Sequence, residues 1–121
     1  MLKFDNRFLN ELPGEPGVGD ALRNHSHQVH GAFWSRVEPT PVAVPRLIAH
    51  SPEVAAMLGL SEAELQTEAM VIALSGNGTL PGMETYATAY GGHQFGNWAG
   101  QLGDGRAILL GEIIAPDKRR Y

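Results

Sequence analysis

Between positions 101 and 107 the sequence reads Gln-Leu-Gly-Asp-Gly-Arg-Ala, and this run carries the sharpest chemical signal in the chain. Asp104-Gly105 between two extended segments is a hairpin signal, because glycine accepts the positive φ that such turns need. With Gly103 in front, the turn can aim several backbone N–H groups in one direction. A nest of that kind binds anions, phosphate foremost. Arg106 stands at the turn exit, where its guanidinium fork can grip two phosphate oxygens. The same residues also suit a plain hairpin with Arg106 in solvent. The spacing is neither Gly-x-Gly-x-x-Gly nor a Walker loop, so on these residues alone both readings stand.

The stretch just upstream, Tyr90 to Gly100, mixes glycine, aromatic and polar residues at high density. His93 can serve as a general base, but no nucleophile or carboxylate partner is close in sequence. A histidine hydrogen-bonded inside a tightly packed loop is the simpler reading, and Phe95 and Trp98 read as core rather than as a base-stacking platform. His25, His27 and His30 form a His-x-His-x-x-His cluster of the type that holds zinc or nickel. It has no carboxylate at ligand spacing, and we expect a solvated segment there and no metal. His50 and the Glu62-Ala63-Glu64 pair read as ordinary strand-end and helix-face residues.

The elements that would position these residues are short. Phe4, Phe8 and Leu9 suit one face of a helix that Pro13-Gly14-Glu15-Pro16-Gly17 would stop. Residues 32–38 read as a strand. Pro39, Pro41 and Pro45 force the next stretch to be extended or a sheet edge. Ser51 caps and Pro52 opens a helix with Val54, Met57 and Leu58 on its apolar face, and Gly59 ends it. Ser61 to Glu64 fits a capping box, with Leu65, Ala69 and Ile72 at helical spacing behind it. Ser75-Gly76-Asn77-Gly78 breaks the chain. Residues 85–90 fit helix or strand equally. The apolar run from Ala107 to Ile114 reads as one buried strand. Asp117 to Tyr121 offers no closing element, which reads as a truncation.

Composition narrows the class. The chain has 121 residues, 43% apolar and 18% charged, with a formal net charge of −4. That is ordinary for one soluble domain or part of one. The acidic balance argues against nucleic-acid partners. No apolar run reaches the length of a membrane span, and the first residues lack the apolar block of a signal peptide, so a cytoplasmic location is expected. The absence of cysteine excludes a disulfide scaffold and a thiol nucleophile. Seven of the fifteen glycines fall between positions 91 and 111, where the only fixed charges are Asp104 and Arg106. Such clustering needs a local backbone reason.

The segment from Tyr90 through Gly91-Gly92-His93-Gln94-Phe95-Gly96-Asn97-Trp98-Ala99-Gly100-Gln101-Leu102-Gly103-Asp104-Gly105-Arg106 to Ala107 closely resembles the selenoprotein O (SelO, YdiU) family. The match continues through Leu110-Gly111-Glu112 and includes Pro41, Arg46, Leu47 and Leu80-Pro81-Gly82-Met83 upstream. The resemblance implies an α+β chain forming the N-terminal part of a protein-kinase-like fold. Small-lobe strands with a glycine-rich turn would follow short helices. It implies a protein adenylyltransferase that transfers AMP from ATP to Ser, Thr or Tyr hydroxyls of proteins. Magnesium or manganese would accompany the nucleotide. By position, Gly103, Gly105 and Arg106 match the family's nucleotide-binding turn. The resemblance puts the general base, the metal ligands and the remaining ATP contacts beyond Tyr121. Residues 1–121 would then be an incomplete catalytic set, inactive alone. A phosphoryl-transferring kinase and a non-catalytic nucleotide-binding module are the competing readings.

Overall fold

Eight short elements make up the computed structural model, which describes residues 1–16, 27–102 and 107–121. In chain order they are α1 (Arg7–Glu11), β1 (Trp34–Arg36), α2 (Pro52–Leu58), α3 (Glu62–Leu65), α4 (Glu68–Leu74), β2 (Tyr86–Thr88), β3 (Tyr90–Gln94) and β4 (Asn97–Leu102). This is an α+β composition. The chain forms two units: Met1–Asn6 with Pro39–Glu84 and Leu110–Tyr121, and Arg7–Glu38 with Thr85–Leu109. Among the described residues, no helix is long and apolar enough to cross a membrane.

Caps set the helices of the first unit. The Ser51 hydroxyl accepts from Val54 N–H at 3.2 Å, Pro52 begins α2, and Gly59 ends it at φ +76°. That positive φ is one a side chain resists. In α3, Glu64 N–H donates to the Ser61 hydroxyl, and the Ser61 backbone N–H returns a bond to the Glu64 carboxylate at 2.9 Å. The helix expected to continue through Ile72 is instead cut in two. The Thr67 hydroxyl donates to Glu64 C=O at 2.7 Å and accepts from Met70 N–H, so α3 stops and α4 restarts with its own cap. Local threonine bonds of this kind compete with the helix ladder. Ala55, Leu60, Leu65 and Met70 form the core, with Leu2, Leu47, Leu58 and Leu80 packed on it.

Two expectations about the ends of this unit are corrected. Phe4 is not part of α1: Asp5 N–H donates to Glu112 C=O and Ile114 N–H to Lys3 C=O, which lays residues 3–5 out as an extended partner of 112–114. The 107–114 run is not one strand. Gly111 sits at φ +140°, where a Cβ would press on the Phe4 ring and the Asn6 amide, and pairing survives only as isolated bridges at Leu109, Ile113 and Ile114. The last residues also close on themselves, Ile113 and Tyr121 exchanging backbone hydrogen bonds at 2.9 and 3.2 Å. The prolines at 39–45 keep that stretch out of a sheet, and the Asn77 side chain bonds both backbone groups of Val42.

The capping box yields a pH prediction. The Met1 ammonium, then the Ser61 backbone and hydroxyl, hold Glu64 down from 4.5 to about 2. A folded pKa below the unfolded one gives stabilisation that is complete above about 4.5 and is lost as pH falls towards about 2. Glu64→Gln is therefore expected to flatten the acid limb of stability against pH in that window. An unchanged limb would mean that the ion pair adds nothing to stability.

In the second unit, β1 and β2 pair antiparallel, with Trp34 opposite Thr88, Ser35 opposite Ala87 and Arg36 opposite Tyr86. Residues 13–15 line the other edge of β1, through Phe33 N–H to Pro13 C=O and Glu15 N–H to Trp34 C=O. Only glycine fits at 14, because a Cβ there would collide with the Trp34 indole. That indole donates to Leu12 C=O at 2.9 Å and carries the Arg36 guanidinium above its face. Tyr86 is 1% exposed and stacks on Phe8 at 5.6 Å, and Leu9 of α1 is buried as its spacing predicts. Of residues 85–90, ambiguous in sequence, Tyr86–Thr88 form β2 and Tyr90 begins β3, with none of them helical.

Candidate functional site

The glycine-rich segment folds into a hairpin that leads directly to residue 103. β3 and β4 pair antiparallel from Tyr90 opposite Leu102 to Gln94 opposite Asn97, with a bulge between Gly92 and His93. Phe95 and Gly96 alone connect them, at φ +51° and +78°. Positive φ at both central residues is what a type I′ turn requires. The sequence signal for a hairpin turn at Asp104-Gly105 falls outside the described residues; the turn at Phe95-Gly96 is a separate one that the sequence reading does not place. Among the described residues β4 does not pair with the chain after 106, and Leu109 pairs instead with Tyr86, at 3.0 and 2.8 Å.

The aromatic residues are also not where composition suggests. Phe95 is 101% and Trp98 67% exposed, so neither is core. Phe95 projects from the turn into solvent. Trp98 lies along the bare backbone of Gly91, where a Cβ would meet its ring. His93, expected inside a packed loop, is exposed on β3 opposite Trp98.

The edge of β4 away from β3 is held by residues 28–32. Gln28 bridges to Leu102, and Val29 N–H donates to Gln101 C=O at 2.9 Å. The Gln28 side-chain amide donates to Ala99 C=O at 2.8 Å, and that of Gln101 to Ala32 C=O at 2.7 Å. Sequence reasoning passes over both glutamines. Their acceptors lie 71 and 69 residues away, and no local pattern announces such a partner. The predicted site residues Gly103, Gly105 and Arg106 lie outside the described residues. The structure therefore supplies their approach, through β4 ending at Leu102, and their return, through Leu109 on Tyr86.

The histidine cluster resolves differently from its spacing. His25 lies outside the described residues, and His30 is exposed. His27 Nε2 stands 2.8 Å from Glu15 Oε1, and the buried Ser35 hydroxyl donates to Glu15 Oε2 at 2.6 Å. The fold thus brings in the carboxylate that the local sequence lacks. Burial opposes ionisation of Glu15, but Ser35 and His27 outweigh it and lower its pKa. Among the described residues no three of His, Asp and Glu gather as a cation site. His27→Ala is accordingly expected to cost about 0.5–1.5 kcal/mol, the worth of one hydrogen-bonded contact. A chelator should leave the wild-type Tm unmoved; a chelator-induced drop would reveal a structural metal. His50 lies outside any strand, with Nε2 2.9 Å from Glu62 Oε2 but too poorly aligned for a hydrogen bond.

Comparison with known proteins agrees with the resemblance carried by the glycine-rich segment. A family model described as protein adenylyltransferase SelO matches residues 21–121. The protein nucleotidyltransferase YdiU of Tolumonas auensis is 65% identical over 119 residues, covering 98% of this chain and 22% of the relative. That of Methylobacillus flagellatus is 59% identical over 121 residues, covering 100% and 23%. That of Rhodopirellula baltica is 49% identical over 120 residues, covering 99% and 22%. The chain spans about a fifth of the length of these curated relatives. Matched by the model from residue 21 to its last residue, the chain belongs to the SelO family of protein adenylyltransferases.

Proposed function

We propose that this chain supplies the triphosphate-binding part of a protein adenylyltransferase. The whole protein would use ATP to modify Ser, Thr or Tyr hydroxyls of other proteins. The observation that carries the reading is the Gly-Asp-Gly-Arg run that continues directly from β4, in a chain of this family. Amides at Gly103 and Gly105 and the Arg106 guanidinium would offset the charge of the β- and γ-phosphates, leaving the α-phosphorus open. The substrate hydroxyl oxygen then bonds to that phosphorus, the bond to the β-phosphate oxygen breaks, pyrophosphate leaves, and the hydroxyl proton passes to a base. The family resemblance would place the base, and the ligands of the Mg²⁺ or Mn²⁺ that accompanies ATP, on residues beyond Tyr121. Residues 1–121 are, in this reading, the N-terminal portion of a kinase-like catalytic domain in a cytoplasmic protein. Mass spectrometry of a protein substrate after incubation with the complete polypeptide and ATP tests it. An added AMP supports the proposal; an added phosphate alone assigns the same cradle to a kinase.

A further inference from the structure

We propose that Gln28 is a positioning residue for the nucleotide segment: its side-chain amide, lodged where glycine at position 100 leaves room, holds the end of β4 from which residues 103–106 depart. The inference rests on the reading of Gly103, Gly105 and Arg106 as an ATP-binding turn.

Gly100 has φ +84°, a conformation side chains resist, and a Cβ built on it would stand 2.5 Å from Gln28 Oε1 and 2.7 Å from Nε2. The positive φ is what calls for glycine here, and the missing Cβ leaves the space in which the Gln28 amide sits. From that seat Gln28 Nε2 donates to Ala99 C=O at 2.8 Å. Its backbone bridges Leu102, and the neighbouring Val29 N–H reaches Gln101 C=O. Val29 is 1% exposed, so this edge is anchored in the interior. Residues 99, 101 and 102 are therefore clamped immediately before Gly103. Backbone amides bind an anion well only when they converge on one point, and a displacement of about 1 Å at a loop stem can cost large factors in a site. A hydrogen bond on an exposed side chain contributes little to global stability, so the value of this one lies in where it holds β4.

The test uses the complete polypeptide, calorimetric titration with ATP and Mg²⁺, and thermal unfolding of the same samples. Gln28→Met keeps the bulk and removes the donor. It is expected to raise the Kd for ATP roughly three- to tenfold, the equivalent of one neutral hydrogen bond, with Tm lowered by no more than a few degrees. Gly100→Ala should weaken ATP at least about tenfold, because it both strains the backbone and evicts Gln28. In transfer assays Gln28→Met should raise KM for ATP with kcat nearly unchanged. A lowered Tm with wild-type ATP affinity in Gln28→Met would overturn the positioning role. Arg106→Ala separates the two readings. If it weakens ATP and Gln28→Met does not, only this inference falls; if neither variant weakens ATP, the nucleotide site falls and the inference with it.

Discussion

Alanine at position 106 is expected to weaken ATP binding by about 1.5–3 kcal/mol, roughly ten- to more than a hundred-fold. The size follows from the chemistry of the pair. A guanidinium against phosphate is charge-assisted on both sides and bidentate, so its removal costs more than a neutral hydrogen bond. Arg106→Lys should recover only part of the affinity, since a point charge cannot reproduce the planar fork. The effect should appear as a raised KM for ATP in transfer assays with the complete polypeptide. Gly105→Val should be at least as damaging by a different route, because a β-branched side chain resists the positive φ expected of the turn and would crowd the phosphates. A plain hairpin with Arg106 in solvent predicts otherwise: reduced stability in Gly105→Val, and wild-type KM in Arg106→Ala.

The largest loss of stability is expected from Tyr86→Ala, about 3–5 kcal/mol by comparison with other large buried aromatics. Tyr86 is 1% exposed, stacks on Phe8 with ring planes 16° apart, and pairs through its backbone with Arg36 on one side and Leu109 on the other. Removing its ring leaves a cavity at the centre of the second unit and loosens the seat of Leu109, where the chain returns from residues 103–106. Urea unfolding of the wild type and variant measures it. A loss below about 1 kcal/mol would mean that the cavity collapses and that Tyr86 is not the keystone of this unit.

What is legible in the sequence is local. Ser51, Pro52 and Gly59 bound α2 because each acts on the backbone within four residues of itself, and the Ser61–Glu64 box acts over three. The break at Thr67 is invisible to spacing because an apolar face at helical intervals continues across it, and only the threonine hydroxyl bonds decide the matter. The turn at Phe95-Gly96 goes unread beside the Asp104-Gly105 signal, whose own residues lie outside those described. Asp-Gly is the stronger local cue, whereas Phe95 enters the left-handed region against the preference of its side chain. Trp98 reads as core on hydrophobicity alone. In a strand pair this rich in glycine there is little side-chain surface to bury it against. The Glu15–His27–Ser35 cluster and the Gln28 clamp join residues distant in sequence, which spacing rules do not reach. The proposed site is legible as a motif, Gly-Asp-Gly-Arg, whose role stays a proposal, while family membership bears out the resemblance of the chain as a whole.

Whether residues 103–106 hold the triphosphate of ATP is measured most directly by calorimetric titration with ATP and Mg²⁺. The samples are folded wild-type and Arg106→Ala protein, both as complete polypeptides. Saturable binding to the wild type is expected, with an affinity at least about tenfold weaker in the variant and unfolding curves that coincide. Equal affinities in two equally folded proteins would contradict a triphosphate site at this turn.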